Sequence, residues 1–149
     1  MNNETYTYLN QVRSIQKRLE ERKMQLEFLE SKLMPGALRY DTPKVQTSPS
    51  DQMSTVGAEI FDVQKEIDTL SDTLIAQLHD IEGTIDQLDN ETERTVLKMY
   101  YLSCVNSPSI AKALGYSDDG IYTMRRRGAR KIEKILKNRD KSIDIRATV

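Results

Sequence analysis

The sequence predicts an all-α protein in which a long antiparallel helical hairpin, a coiled coil, is followed by a small helix-turn-helix domain. Apolar residues recur at alternating intervals of four and three in two long segments, which is the heptad pattern of paired helices. A segment with three prolines separates the two, and three shorter helical patterns with capping residues follow them. The predicted hairpin covers residues 1–88, with a loop at 35–54, and the predicted helix-turn-helix domain covers 89–149.

The first predicted helix has one apolar stripe, and its remaining faces are polar. We expect it to end at Met34, because Pro35 disfavours helical geometry in the residue before it and Gly36 is a common helix terminator. Arg22 occupies one stripe position. It either sets the register of the pair or lays its aliphatic stem along the seam with the charge in water, and we favour the second. The stripe residues are Tyr8, Val12, Ile15, Leu19, Arg22, Leu26, Leu29 and Leu33.

The second predicted helix begins at about Ser54, after the loop at 35–54. That loop is longer than a tight helical hairpin needs, so it is either mobile or makes a contact of its own. Two stripes of similar length are satisfied by folding back as an antiparallel pair, or by pairing between two chains, and both remain open. The stripe residues of the second helix are Val56, Ile60, Val63, Ile67, Leu70, Leu74, Leu78, Ile81, Ile85 and Leu88.

Two short helices are predicted next. The first runs to Leu102 and is capped by Asp89 or Asn90, because both side chains can accept hydrogen bonds from the first turn of a helix. The second has Ser107 as its N-cap and Pro108 as its first residue, where the missing amide hydrogen costs nothing.

A tight turn and a longer basic helix complete this set. Gly115 supplies the left-handed residue that the turn needs, and Ser117 caps a helix from Asp118 towards Lys137. Ala111 is small at the point where the two helices would cross. A short helix, a tight turn and a longer helix form the helix-turn-helix arrangement, in which the second helix enters the DNA major groove.

This part of the chain resembles region four of bacterial sigma factors, the domain that reads the upstream promoter element. With its coiled-coil leader and the 40–43 loop, the whole chain is similar to phage and prophage regulators of the ArpU and RinA type. The resemblance implies a sequence-specific DNA-binding transcriptional regulator that activates late genes. The first turn departs from the family pattern, because Asp118, Asp119 and Gly120 follow the Ser cap. The resemblance rests on residues 88–89, 93–97, 100–101, 110–117, Ile121 and 129–132.

The charge distribution points to the same class of partner. Residues 1–90 carry nine basic and sixteen acidic side chains, whereas residues 91–149 carry thirteen basic and seven acidic ones. A basic half of this kind favours a polyanion such as double-stranded DNA, although a solvated helix face has a similar composition. We expect base or phosphate contacts from Tyr122, Thr123, Arg126 and Arg127. The full predicted DNA-binding set is Ser117, Tyr122, Thr123, Arg125, Arg126, Arg127, Arg130, Lys131 and Lys134.

Other classes of protein are disfavoured. One Cys and one His are too few for a disulfide framework or a structural zinc site, and no Walker-type loop or HExxH pattern is present. We therefore expect no enzymatic activity, no cofactor and no metal. The N-terminus lacks a signal-peptide pattern and no long apolar run occurs, so we expect no membrane contact and a location in the cytoplasm of a bacterial host.

Two further partners are compatible with the coiled coil, namely RNA polymerase and a second copy of the chain in a homodimer. The alternative function is a structural or assembly protein, either a small terminase-like DNA-packaging component or an RNA polymerase-binding adaptor. A packaging component is expected to form rings, whereas a regulator is expected to be a monomer or dimer with a defined DNA site.

Overall fold

The computed structural model describes residues 3–33 and 49–147, with side chains in 3–33 and 53–143. Every regular element in these ranges is helical, as the sequence predicts. No helix in them is both long enough and apolar enough to cross a membrane. The helices are α1 (Asn3–Leu9), α2 (Gln11–Lys32), α3 (Pro49–Ile85), α4 (Glu91–Leu97), α5 (Ser107–Leu114) and α6 (Asp118–Ala147), with a π-helical turn at Lys98–Leu102.

The first predicted helix is divided into α1 and α2 at Asn10. The Asn10 amide and side-chain nitrogen both donate to the Tyr6 carbonyl, each at 2.9 Å, so the side chain competes with the helical backbone there. The second part ends at Lys32, two residues before the predicted Met34, which lies outside the described residues.

The second predicted helix begins earlier than expected. It starts at Pro49, so residues 49–54 of the predicted loop are helical, and residues 35–48 lie outside the described part of the chain. Proline is compatible with the first turn of a helix, since its fixed backbone angle suits that position and no hydrogen bond within the helix is lost there. The sequence prediction placed Pro49 in the loop at 35–54, and this was wrong because a proline can also begin a helix.

The chain divides into two compact units, and the division differs from the predicted boundary at residue 88. We call Ile15–Leu74 the central unit, and Met1–Ser14 with Ile75–Val149 the terminal unit. The terminal unit therefore contains α1 as well as the predicted helix-turn-helix residues. Local patterns cannot predict this arrangement, because the segments that pack together are far apart in the sequence.

The central unit buries the predicted stripes partly. Leu19, Leu29 and Val63 are buried, and most of the other stripe positions of α2 and α3 are half-buried. Arg22 is exposed, and its Nε lies 2.9 Å from the Glu66 carboxylate. The charge of Arg22 is thus in water, which is the alternative that the sequence favoured. The ion pair with α3 is exposed, so it contributes little to stability by itself.

The terminal unit has a continuous apolar core. Val96 of α4, Ile110 and Ala111 of α5 and Ile121 of α6 are buried together, so three helices contribute to this core. Ala111 is buried as predicted for a close helix crossing. This core determines how α5 and α6 are held against each other.

The predicted helix at 91–102 is only partly α-helical. After α4 the backbone widens into the π-helical turn, where the Ser103 amide donates to the Lys98 carbonyl at 3.0 Å. Cys104 follows with a φ of 56°, a left-handed conformation that non-glycine residues seldom adopt. The side chain of Tyr101 is fully buried within this widened segment.

Candidate nucleic-acid interface

Helices α5 and α6 are joined by a three-residue connection. α5 ends at Leu114, its C-cap Gly115 has a φ of 75°, and the Tyr116 amide donates to the Ala111 carbonyl at 2.9 Å. Ser117 then caps α6, since its Oγ accepts a hydrogen bond from the Gly120 amide at 3.0 Å. The glycine turn and the serine cap are both where the sequence predicted them.

The cap of α5 is one residue earlier than predicted. Asn106, not Ser107, adopts the extended cap conformation, and its Oδ1 accepts from the Ser109 amide at 2.9 Å. Asparagine is at least as good a cap as serine, which explains the shift. At the start of α4, Asn90 is the cap among the two predicted candidates, and it accepts from the Glu93 amide at 3.0 Å.

A stripe of predicted DNA-binding residues lies on the outer face of α6. Its members are separated by four, three and four residues, a spacing that keeps them on one helix face. All four are exposed, and within the described residues none of the three basic side chains forms an ion pair. We call this set the basic stripe: Thr123, Arg127, Arg130 and Lys134.

Tyr122 and Arg126 lie beside the basic stripe. Tyr122 is 55% exposed, and the Arg126 guanidinium carbon is 5.8 Å from the centre of its ring. The hydroxyl of Thr123 donates to the Asp119 carbonyl at 2.9 Å, so this side chain is fixed against its own helix. The exposed aromatic ring and the two arginines Arg126 and Arg127 form one accessible surface near the start of α6.

Arg125, in contrast, is turned inwards. Its guanidinium carbon lies 3.4 Å from the centre of the Tyr100 ring, and its Nη1 donates to the Ser107 hydroxyl at 3.2 Å. A second arginine, Arg13 of α2, also contacts Tyr100. Its guanidinium carbon is 4.3 Å from the centre of the same ring, and its Nη1 donates to the Tyr100 carbonyl at 2.8 Å. Arg125 thus supports the packing of the terminal unit and is not part of the exposed set.

Lys131 also has an internal partner. Its Nζ lies 2.6 Å from the carboxylate of Glu93, whose side chain is only 6% exposed. A buried carboxylate needs such a cation, because an unpaired charge is costly in a low-dielectric environment. This pair connects α4 to α6, and it leaves Lys131 less available for an external anion than the exposed side chains of the basic stripe.

The first turn of α6 is acidic and exposed. Asp118 and Asp119 stand next to the positive end of the helix dipole, where carboxylates are favourable. The first turn and the basic stripe therefore carry opposite charges on one helix. The carboxylates of the first turn repel phosphate groups, whereas the basic stripe attracts them. Gly120 leaves room for the cap, because a Cβ there would lie 3.2 Å from the Ser117 hydroxyl.

Three residues that position α6 were not identified from the sequence. Arg13 is remote in the chain, and Glu93 looks like an ordinary first-turn acid. Gly128 lies inside α6, and a Cβ at this position would meet the Leu97 Cδ1 atom at 2.6 Å. A glycine in the middle of an otherwise regular helix was the one available signal of a close contact.

Two tyrosines of the terminal unit have raised pKa values. Burial raises the pKa of Tyr101, and the neighbouring Arg125 opposes that effect. Burial is also the main cause for Tyr8, whose hydroxyl donates to the Asp80 carboxylate at 2.7 Å. The Asp80 hydrogen bond raises the pKa of Arg139, which lies 3.1 Å from that carboxylate.

Comparison with known proteins gives one family. A family model for proteins of unknown function, DUF1492, matches residues 36–133. The chain belongs to this family. The match in this DUF1492 protein includes α3, α4, α5 and the first half of α6. No curated protein and no solved structure matches the chain.

The candidate interface of this DUF1492 protein is a charged surface. Among the side chains that the structure describes, in 3–33 and 53–143, no group of three or more His, Cys, Asp or Glu is arranged to hold a metal ion. The outer face of α6 instead offers the guanidinium and ammonium groups of the basic stripe, which are suited to phosphate oxygens.

Proposed function

We propose that this DUF1492 protein is a sequence-specific DNA-binding regulator of transcription, with α5, the turn at 115–117 and α6 acting as a helix-turn-helix. The basic stripe carries this proposal, because it is exposed on the helix that the motif would insert into the major groove, and its three basic side chains form no ion pair with any described residue. The Gly115 turn and the Ser117 cap support the same motif.

In the proposed mechanism, phosphate contacts provide most of the affinity. Arg127, Arg130 and Lys134 are spaced along about two turns of α6 and neutralise phosphates that border the groove. Tyr122 and Arg126 stand nearer the start of the helix, where side chains reach base edges. Any base contact from Asp119 is restricted to an amine donor such as that of cytosine, because a carboxylate can only accept.

We infer that the supporting architecture is a paired α2 and α3. The ion pair between Arg22 and Glu66 and the buried stripe residues Leu19, Leu29 and Val63 support an antiparallel hairpin. On the basis of the sequence resemblance, we further propose a sigma region-four-like reading domain in an ArpU or RinA-type regulator of a phage or prophage, acting in the host cytoplasm on late genes. Such a regulator needs neither a cofactor nor catalysis.

The test is an unbiased selection of bound duplexes from fragmented genomic DNA, followed by titration of the best fragment against salt. We expect one enriched site and an affinity that falls steeply with salt, since counterions are released from each contacted phosphate. The double variant Arg126→Ala with Arg127→Ala is expected to weaken binding at least about tenfold.

Arg18→Ala is the matched control, because Arg18 is an exposed arginine on α2 in the central unit. We expect its affinity for the selected fragment to equal that of the wild type. Unchanged binding by the double variant would remove α6 from the mechanism, and an absence of binding at low salt would reject the proposed function.

A second candidate is an adaptor that binds RNA polymerase, and the composition of α3 favours it. This helix carries eight acidic residues and one lysine, and its apolar Phe61 and Ile75 are exposed. An adaptor would bind polymerase without DNA. A packaging component would assemble into rings, which light scattering coupled to size-exclusion chromatography would detect as a mass of many copies.

A further inference from the structure

The outer side of α2 carries two large apolar side chains that the hairpin does not use. Met24 is 69% exposed and Phe28 is 60% exposed, although both lie in a helix whose apolar seam positions are buried or half-buried. They are four residues apart and therefore adjacent on one helix face. An exposed apolar patch is a common feature of protein interaction sites.

Charged residues extend this pair in both directions at the same spacing. Glu20 lies four residues before Met24, and Lys32 lies four residues after Phe28, so the four side chains form one ridge along α2. The ridge reads acid, apolar, apolar, base. In a second copy that runs antiparallel, the same ridge reads base, apolar, apolar, acid. Each acid then faces a base, and each apolar side chain faces an apolar one.

The two end charges cannot pair with each other in one chain. Twelve residues of α-helix separate Glu20 from Lys32, which is about 18 Å along the axis. Within the described residues Glu20 forms no ion pair, and the Lys32 ammonium lies 4.7 Å from the centre of the Phe28 ring. Each end of the ridge therefore has a charge available for an external partner.

We propose that this ridge is a homodimer contact, in which α2 of a second copy packs antiparallel on α2 about a two-fold axis between Met24 and Phe28. Phe28 of each copy then packs on Met24 of the other, and Glu20 of each reaches Lys32 of the other. A two-fold contact must be complementary to itself, and this ridge meets that condition in both shape and charge.

This contact differs from a coiled coil between chains, because it leaves the seam of α2 for α3. It also does not depend on the proposed DNA-binding function. Two apolar side chains from each copy bury little area, so the association is weak and transient compared with a standard interface. If the DNA-binding proposal holds as well, a dimer presents the reading helix twice and favours a two-fold symmetric site.

Sedimentation velocity on the full chain, from about 1 to about 300 μM, tests the contact over the range of weak interfaces. We expect a monomer–dimer equilibrium for the wild type. Met24→Gln with Phe28→Gln should raise the dimer Kd at least about tenfold, because glutamine keeps the helix propensity but removes the apolar contact. Phe61→Gln is the matched control: this side chain is 66% exposed on α3 but lies outside the ridge, and its variant should dimerise like the wild type.

Charge reversal tests the register. Glu20→Lys alone and Lys32→Glu alone should each weaken the dimer, because each places like charges opposite one another. The chain with both changes should dimerise like the wild type, since the pair is rebuilt with its charges exchanged. A strictly monomeric wild type, a dimer insensitive to the Met24 and Phe28 changes, or a double reversal that fails to restore dimerisation would each overturn the proposal. DNA binding measured on the same samples reports on the other proposal separately.

Discussion

The two units of this DUF1492 protein bury their apolar side chains to different extents. In the terminal unit, Ile110, Ile121 and Ile132 are completely inaccessible to solvent. In the central unit, the best-buried stripe residues, such as Leu29 and Val63, retain a few per cent of their exposure, and most others are half-buried. All of these residues occupy the apolar stripe of an amphipathic helix.

The difference shows what an apolar stripe can and cannot accomplish. A helix that packs against one partner shields a single seam, and the margins of that seam stay in contact with water. A helix that packs against several partners, as α6 does against α1, α4 and α5, encloses side chains from more directions. The same sequence pattern therefore leads to different degrees of burial, and three experiments examine this contrast.

The largest expected effect is the loss of a fully enclosed side chain. Ile121→Ala should lower the free energy of unfolding by about 3 kcal/mol, because it removes buried methyl groups and leaves a cavity. Leu26→Ala, at a half-buried stripe position of α2, should cost about 1 kcal/mol. Urea denaturation followed by circular dichroism measures both. Equal losses for the two variants would mean that the units are enclosed to the same degree.

Glycine substitutions give a smaller effect of opposite sign in the two units. Gly57→Ala in the central unit meets no atom within 4 Å and should stabilise the protein by up to about 1 kcal/mol through helix propensity. Gly128→Ala should destabilise by about 1 to 2 kcal/mol, because its Cβ would overlap the buried Leu97 side chain. Thermal melting compares the two. A gain in stability at position 128 would contradict the close packing of α4 on α6.

The smallest expected effect concerns alkaline pH. The raised pKa values of Tyr8 and Tyr101 mean that these hydroxyls hold their protons more tightly in the folded chain than in the unfolded chain. Their contribution to stability is therefore complete below about pH 10, the usual tyrosine pKa, and is lost as the pH rises through the folded pKa values.

Tyr101→Phe should reduce the loss of stability between about pH 9 and about pH 11, because it removes the buried hydroxyl whose pKa is raised by folding. Urea denaturation at both pH values provides the measurement. A pH dependence of Tyr101→Phe equal to that of the wild type would contradict the contribution of this buried hydroxyl in the terminal unit.

Much of the fold could be predicted from local pattern. The helical character of the chain, the Ser117 cap and the Gly115 turn follow from signals confined to a few neighbouring residues, and the structure contains each of them. Asn90 is the cap of α4 among the two candidates that the sequence offered. The errors were also local in origin. Asn106 and Ser107 are both good caps, and Pro49 is equally compatible with a loop and with a first helical turn, so the pattern alone did not separate the alternatives.

The candidate site was predictable as a set of residue types but not as a surface. Composition indicated a basic helix, and helical spacing placed Arg127, Arg130 and Lys134 on one face. It could not show that Arg125 stacks on Tyr100 or that Lys131 pairs with Glu93, because those partners come from other helices.

The sequence by itself determined that this protein is helical, where α4 and α6 begin, where α5 ends, and that its last long helix is basic. These properties depend on interactions within about four residues, which spacing and caps report directly. Only the tertiary structure decided that α1 belongs to the terminal unit and which cations of α6 are available. Those outcomes depend on contacts such as Arg13 with Tyr100, 87 residues apart, and no local pattern encodes such a pairing.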